Sequence, residues 1–201
     1  MDPIYDPFPW ATQSSVIDAK NNECVRHALG GEDNADAVKH IGLGLVMIPK
    51  LANCYLEPNG YVAEAYHADD RFQESYLKQI VVDALMDPQS RVLLNYDRGG
   101  IGQGPLGHGH WSPLGGYNAE KDMFLIMDVA KYKHPMVWVK WKNLFGGVTT
   151  KDTCSEMLPM TTPIDWNTNF KTKGYFSLIQ PKIDSICIPG NRGFVVVKPT
   201  E

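Results

Sequence analysis

Residues 107–129, GHGHWSPLGGYNAEKDMFLIMDV, constrain this chain most. Two strand-forming segments flank the polar stretch YNAEKD, a pattern that closes as an antiparallel hairpin. With the turn centred on Ala119, residue 112 faces 126, 114 faces 124 and 110 faces 128. Opposed residues have Cβ atoms roughly 4.5–5.5 Å apart on one sheet face. His110 and Asp128 are therefore expected within hydrogen-bonding reach at the hairpin's open end. A bulge at Pro113 or at the Gly115-Gly116 pair would shift that register. An aspartate beside a histidine fixes the imidazole tautomer and favours the imidazolium that forms when histidine takes a proton. It is equally the pattern of two polar residues capping a hairpin by bonding each other. Asp128 follows the apolar run FLIM, so its carboxylate sits at a core edge and needs a partner. Six glycines in residues 98–109 give His110 an open approach.

At 201 residues the chain is long enough for one domain with a real core, and residues 1–201 are read as one. A formal charge of −4 leaves no basic footprint, so nucleic acid is not an expected partner. The apolar run IGLGLVMI at 41–48 is too short to cross a bilayer, and MDPIYDPFPW has no signal-peptide pattern. Cysteines at 24, 54, 154 and 187 form no C-x-x-C pair. Reduced thiols in a cytoplasmic protein are the expectation, with disulfides open but not indicated.

Helix signals cluster early. A short helix is expected around 23–29 and another over IPKLANCYL, ended by the Pro58-Asn59-Gly60 turn. YVAEAYHA (61–68) reads as a strand. In 76–86, Leu77, Ile80, Val81, Ala84 and Leu85 recur at helical spacing before the Asp87-Pro88 stop. Strands are expected at 91–97, in the hairpin, at 174–181 and at 193–199. Helices early and antiparallel strands late make an α+β class.

Other signals carry less. Gly102-Gln-Gly104-Pro-Leu-Gly107 matches G-x-G-x-x-G in letters, but Pro105 and a strand follow where a helix must open. His108 and His110 form H-x-H, with no further ligand of convincing spacing, so no protein metal site is expected. Trp138, Trp141 and Phe145 suit core and rim packing.

GHWSPLGGYNAEKDMFLIMDVAKYKHPMVWV (109–139) resembles the catalytic segment of phytochelatin synthases, the glutathione γ-glutamylcysteinyltransferases. The likeness is strong over 98–141 and weaker over 8–181, where WATQSSVID, IGLGLVMIPKLANCYL and KTKGYFSLIQP are similar to further family stretches. The resemblance implies a papain-like cysteine-peptidase fold and a ping-pong acyl transfer. A thiolate attacks the Cys–Gly bond of glutathione, and the γ-Glu-Cys group passes to a second glutathione. It implies glutathione and its heavy-metal thiolates, of cadmium or zinc, as partners. With no spanning segment, no membrane partner is expected, and a homo-oligomer is left open. His110 matches the family's catalytic histidine and Asp128 its catalytic aspartate. Lys131 stands where relatives often carry an arginine that grips a substrate carboxylate; lysine lacks the planar two-point fork.

The family's nucleophile lies in a Q-x-x-x-x-[FY]-C-G helix upstream of F-T-Q, and no such segment is found here. Cys24, with Arg26 and His27 nearby, is a weaker substitute, and Cys54 matches a non-nucleophilic cysteine of some relatives. The chain alone is therefore expected to be inactive, its N-terminal helix missing and an apolar docking surface left beside His110. A relative that only binds glutathione or its metal thiolates is the alternative.

Overall fold

A computed structural model describes residues 12–32, 34, 35, 38, 42–69, 71–104, 109–130, 134–152 and 190–200. The expected elements that fall on these residues are present, several with the expected bounds. Helices α1 (Gln13–Val16), α2 (Glu23–Leu29) and α3 (Met47–Leu56) precede strand β1 (Tyr61–His67). Helix α4 (Glu74–Met86) leads to β2 (Arg91–Asp97), β3 (Gly109–Asn118), β4 (Met123–Ile126) and β5 (Val137–Lys140). Helix α5 (Trp141–Val148), β6 (Lys151–Asp152), β7 (Gly190–Asn191) and β8 (Gly193–Pro199) follow. The expected strand at 174–181 lies outside the described residues. The architecture is α+β, and none of the described helices is long and apolar enough to cross a membrane.

Six strands form one sheet in the order β1-β8-β2-β3-β4-β5, every neighbouring pair antiparallel. Helices α4 and α5 cover one face. There Leu77 and Val81 meet Val92, Leu94, Phe124, Ile126, Leu144 and Phe194 in the main core. Trp141 joins this core, its ring centroid 5.3 Å from Phe124 and 6.1 Å from Phe194. Its indole N–H donates to Glu74 at 2.7 Å, so the polar tip is satisfied. Trp138, by contrast, stands exposed on β5. The other sheet face is covered by α3 and the segment before it, where Leu45, Ala52 and Leu56 cluster with Ala63 and Val195.

The hairpin register differs from the expected one. Leu114 pairs Ile126, but Gly116 pairs Leu125, Tyr117 pairs Phe124 and Asn118 pairs Met123. The position of the turn sets this difference; a bulge at Gly115 moves the pairing back by one residue, and a side chain there would meet Met127 at 2.7 Å. The turn lies between the paired Asn118 and Met123, so it is centred between Glu120 and Lys121 and not on Ala119. Asn118 accepts from the Lys121 N–H at 2.9 Å, and Asp122 takes a left-handed φ of 51°. Tyr117 and Lys78 hold the Asp122 carboxylate at 3.0 and 2.7 Å.

The cysteine expectation is also corrected. Cys24 and Cys54 form a disulfide with Cα atoms 5.6 Å apart. They meet because α2 packs on α3 through Val25, Leu29 and Leu51. Cross-linking positions 30 residues apart stabilises the fold by roughly 3–4 kcal/mol in the chain-entropy picture.

The turn after β2 is pinned to α5. Gly100 donates its N–H to Asp97 at 3.0 Å, and a Cβ on Gly100 would lie 2.7 Å from the Gly147 Cα. Only a residue without a side chain allows that approach. Gly100→Ala is expected to lower unfolding stability by about 1–3 kcal/mol in urea titration. Gly104→Ala, with nothing within 4 Å, should stay within about 0.5 kcal/mol of the parent. Equal stability of the two variants would refute the packing assigned to this turn.

Candidate active site

His110 lies on β3 directly opposite Tyr96 of β2, not opposite Asp128. Asp128 follows β4 in the segment where the Met127 N–H donates to the Pro113 carbonyl at 2.9 Å. Continuing that register sets Asp128 level with Ser112, one pleat from His110 on the same face. The two meet on the diagonal: His110 Nε2 lies 3.1 Å from Asp128 Oδ1. The displaced turn changes the route to the contact, and the contact still forms.

Asp128 has no exposed side-chain surface, so its charge must be answered from within. Arg98, the first residue after β2, donates Nη1 to Oδ2 at 2.6 Å and Nη2 to Oδ1 at 3.0 Å. The Tyr96 hydroxyl donates to Oδ2 at 3.2 Å, and the Ala130 N–H to Oδ1 at 2.7 Å. Burial pushes the Asp128 carboxyl up, but Arg98, Ala130 and His110 outweigh it and hold it at about 2. Burial also raises the Tyr96 phenol to about 12, which keeps it a donor.

These facts settle the histidine. An ionised carboxylate only accepts, so Nε2 carries the proton that points at Asp128. Burial first, then the Arg98 charge, lower the His110 pKa from its ordinary value, and Asp128 only partly opposes them. The imidazole is thus neutral near pH 7, with its lone pair on Nδ1. Its side chain is 21% exposed while Asp128 is sealed, so a reacting group reaches the ring and not the carboxylate. With its lone pair on Nδ1, the ring can take a proton, hold it and return it.

Sequence reasoning identified His110 and Asp128 but missed Arg98 and Tyr96. The available signal was position: a tyrosine and an arginine at the end of β2, the strand beside the histidine's own. Lys131 and His108 lie outside the described residues. Cys24 is no free thiolate, because its sulfur is bonded to Cys54. Among the described residues no three His, Cys, Asp or Glu side chains stand close enough to hold a metal ion. Met127, Val129, Met136 and Trp138 are exposed apolar side chains. Met127 contacts Gly115 and alternates with Ile126 and Asp128, so it faces away from His110.

Two measurements test this electrostatic arrangement. Arg98→Gln removes a positive charge and should raise the His110 pKa in an imidazole NMR titration; an unchanged or lower value would refute the assigned role. Asp128 binds protons less readily folded than unfolded, so its contribution to stability is present above about pH 4. That contribution should be lost as pH falls through about 2. Asp128→Asn should flatten this part of the acid-unfolding curve, and an unaltered curve would contradict the buried, ion-paired carboxylate.

A family model described as phytochelatin synthase matches residues 2–158. Glutathione gamma-glutamylcysteinyltransferase 1 of Arabidopsis thaliana is 35% identical over 117 residues, which cover 58% of this chain and 23% of that protein. Glutathione gamma-glutamylcysteinyltransferase 3 of Lotus japonicus is 32% identical over the same length and shares. The Triticum aestivum enzyme 1 of that name is 50% identical over 52 residues, 26% of this chain and 10% of the relative. The matched stretch thus spans about a quarter or less of these relatives' length. With 157 of 201 residues inside the family match, the chain belongs to the phytochelatin synthase family.

Proposed function

We propose that this chain carries the histidine–aspartate machinery of γ-glutamylcysteinyl transfer from glutathione. The observation that carries the reading is a neutral, partly exposed His110 whose Nε2 is held by buried Asp128. In this scheme Nδ1 takes the proton of a cysteine thiol, and the thiolate attacks the Cys–Gly carbonyl. His110 then protonates the departing glycine amine. The γ-Glu-Cys acyl group passes to the amine of a second glutathione, whose proton His110 accepts. Cadmium or zinc enters as glutathione thiolates, that is, as substrate. Lys131 is proposed to attract a substrate carboxylate, and the surrounding fold to be papain-like.

The nucleophile is the open part. Both cysteines among the described residues are joined to each other, so neither offers a thiolate to His110. We therefore propose that residues 1–201 alone do not make γ-Glu-Cys polymers. This same observation favours a second reading, a relative that binds glutathione or its metal thiolates without turnover.

The test is purified 1–201 with glutathione and cadmium, followed by chromatography for γ-Glu-Cys polymers and released glycine. The expected result is no turnover alone, and turnover once a segment with the family's cysteine motif is supplied. His110→Ala should then cost several orders of magnitude. Turnover by 1–201 alone that Cys24→Ser abolishes would make Cys24 the nucleophile and overturn the assignment. No turnover with the added segment, but saturable glutathione binding, would establish the second reading.

A further inference from the structure

The Cys24–Cys54 bridge is absent from the acyl-transfer chemistry and occupies a mechanically exposed place. Cys24 is solvent-exposed at the start of α2, and Cys54 is half-buried near the end of α3. The helices share a separate small core of Ile17, Ala19, Val25, Leu29, Val38 and Leu51. A cluster of that size has little hydrophobic stabilisation of its own, and a covalent staple is the usual remedy. On its other side α3 lies against the back of the sheet, in a cluster that includes Trp111. The Trp111 indole N–H donates to the Leu43 carbonyl at 2.9 Å, in the segment leading into α3. Trp111 is the residue after His110. An unbroken set of contacts thus runs from the bridge through α3 and Leu43 to the strand that holds the imidazole.

We propose that Cys24–Cys54 is a thiol–disulfide exchange site for a low-molecular-weight thiol of the glutathione class, which governs how firmly α2 and α3 brace the back of β3. The reachable sulfur is Cys24. A small-molecule thiolate attacks Cys24 Sγ, the S–S bond breaks, and Cys54 Sγ leaves as a thiolate that takes up a proton. A second thiolate attacks the small molecule's sulfur in this mixed disulfide. It releases the Cys24 thiolate and forms the oxidised small-molecule disulfide. Two electrons pass from two thiols to the protein bridge, and the reverse steps re-form it. The chemistry needs no acyl transfer, so it stands or falls independently of the proposed function. Reduction leaves the main core untouched and frees the small one.

The experiment equilibrates the full chain with graded ratios of reduced to oxidised glutathione, quenches by alkylation and maps cysteines by peptide mass. Hydrogen exchange is followed in parallel. The expected result is a cross-linked 24/54 peptide pair under oxidising ratios and a glutathione adduct at Cys24 between the extremes. Reduction should speed amide exchange in α2 and α3 by roughly ten-fold or more, with β2 and α4 unchanged. Cys24→Ser and, separately, Cys54→Ala should reproduce the fast exchange and lose the dependence on the ratio. Two cysteine variants guard against one failing to fold. Full alkylation of both cysteines in the oxidised sample, an adduct at Cys54 instead of Cys24, or identical exchange in both redox states would each overturn the proposal.

Discussion

The buried charge of Asp128 organises this end of the molecule. A carboxylate with no exposed surface is tolerable only with donors on every side, and here five hydrogen bonds converge on it from Arg98, Tyr96, His110 and Ala130. Each donor comes with a structural demand. Tyr96 must sit on a strand beside β3. Arg98 must leave β2 at once, which the Gly100 approach to Gly147 arranges by pinning the turn to α5. The Ala130 N–H must fold back two residues after the carboxylate. Once these are met, His110 has one orientation available. Its neutrality follows from the same cluster, because burial and the Arg98 charge together outweigh the attraction of Asp128.

Much of the scaffold was legible in the sequence, for physical reasons that differ by element. The Leu77-Ile80-Val81-Ala84 periodicity and the Asp87-Pro88 stop define α4 almost unaided. The apolar run of β2 gave its bounds because a strand buried on both faces has no alternation to confuse. The dyad was legible because His110 and Asp128 are local to one hairpin. Its register was not: a single bulge at Gly115 and a left-handed Asp122 move the pairing, and neither leaves a periodic trace. Arg98 was invisible because its partner lies 30 residues away, and the same holds for the Cys24–Cys54 bridge. Such contacts are decided by helix docking and sheet order, which no local pattern records.

Two regions with different mechanical character follow. The main core, between the sheet and helices α4 and α5, is apolar, aromatic and continuous, and it carries the active-site face. The bracing layer of α2 and α3 is small and covalently stapled, and it supports β3 from behind through Trp111.

The central claim is that His110 is a neutral imidazole with its proton on Nε2, facing Asp128, and its lone pair on Nδ1. Long-range proton–nitrogen NMR of the imidazole in the full chain at neutral pH reads this directly. The expected spectrum shows a protonated Nε2 and a pyridine-type Nδ1. A protonated Nδ1 with a bare Nε2, or an imidazolium at neutral pH, would contradict the account.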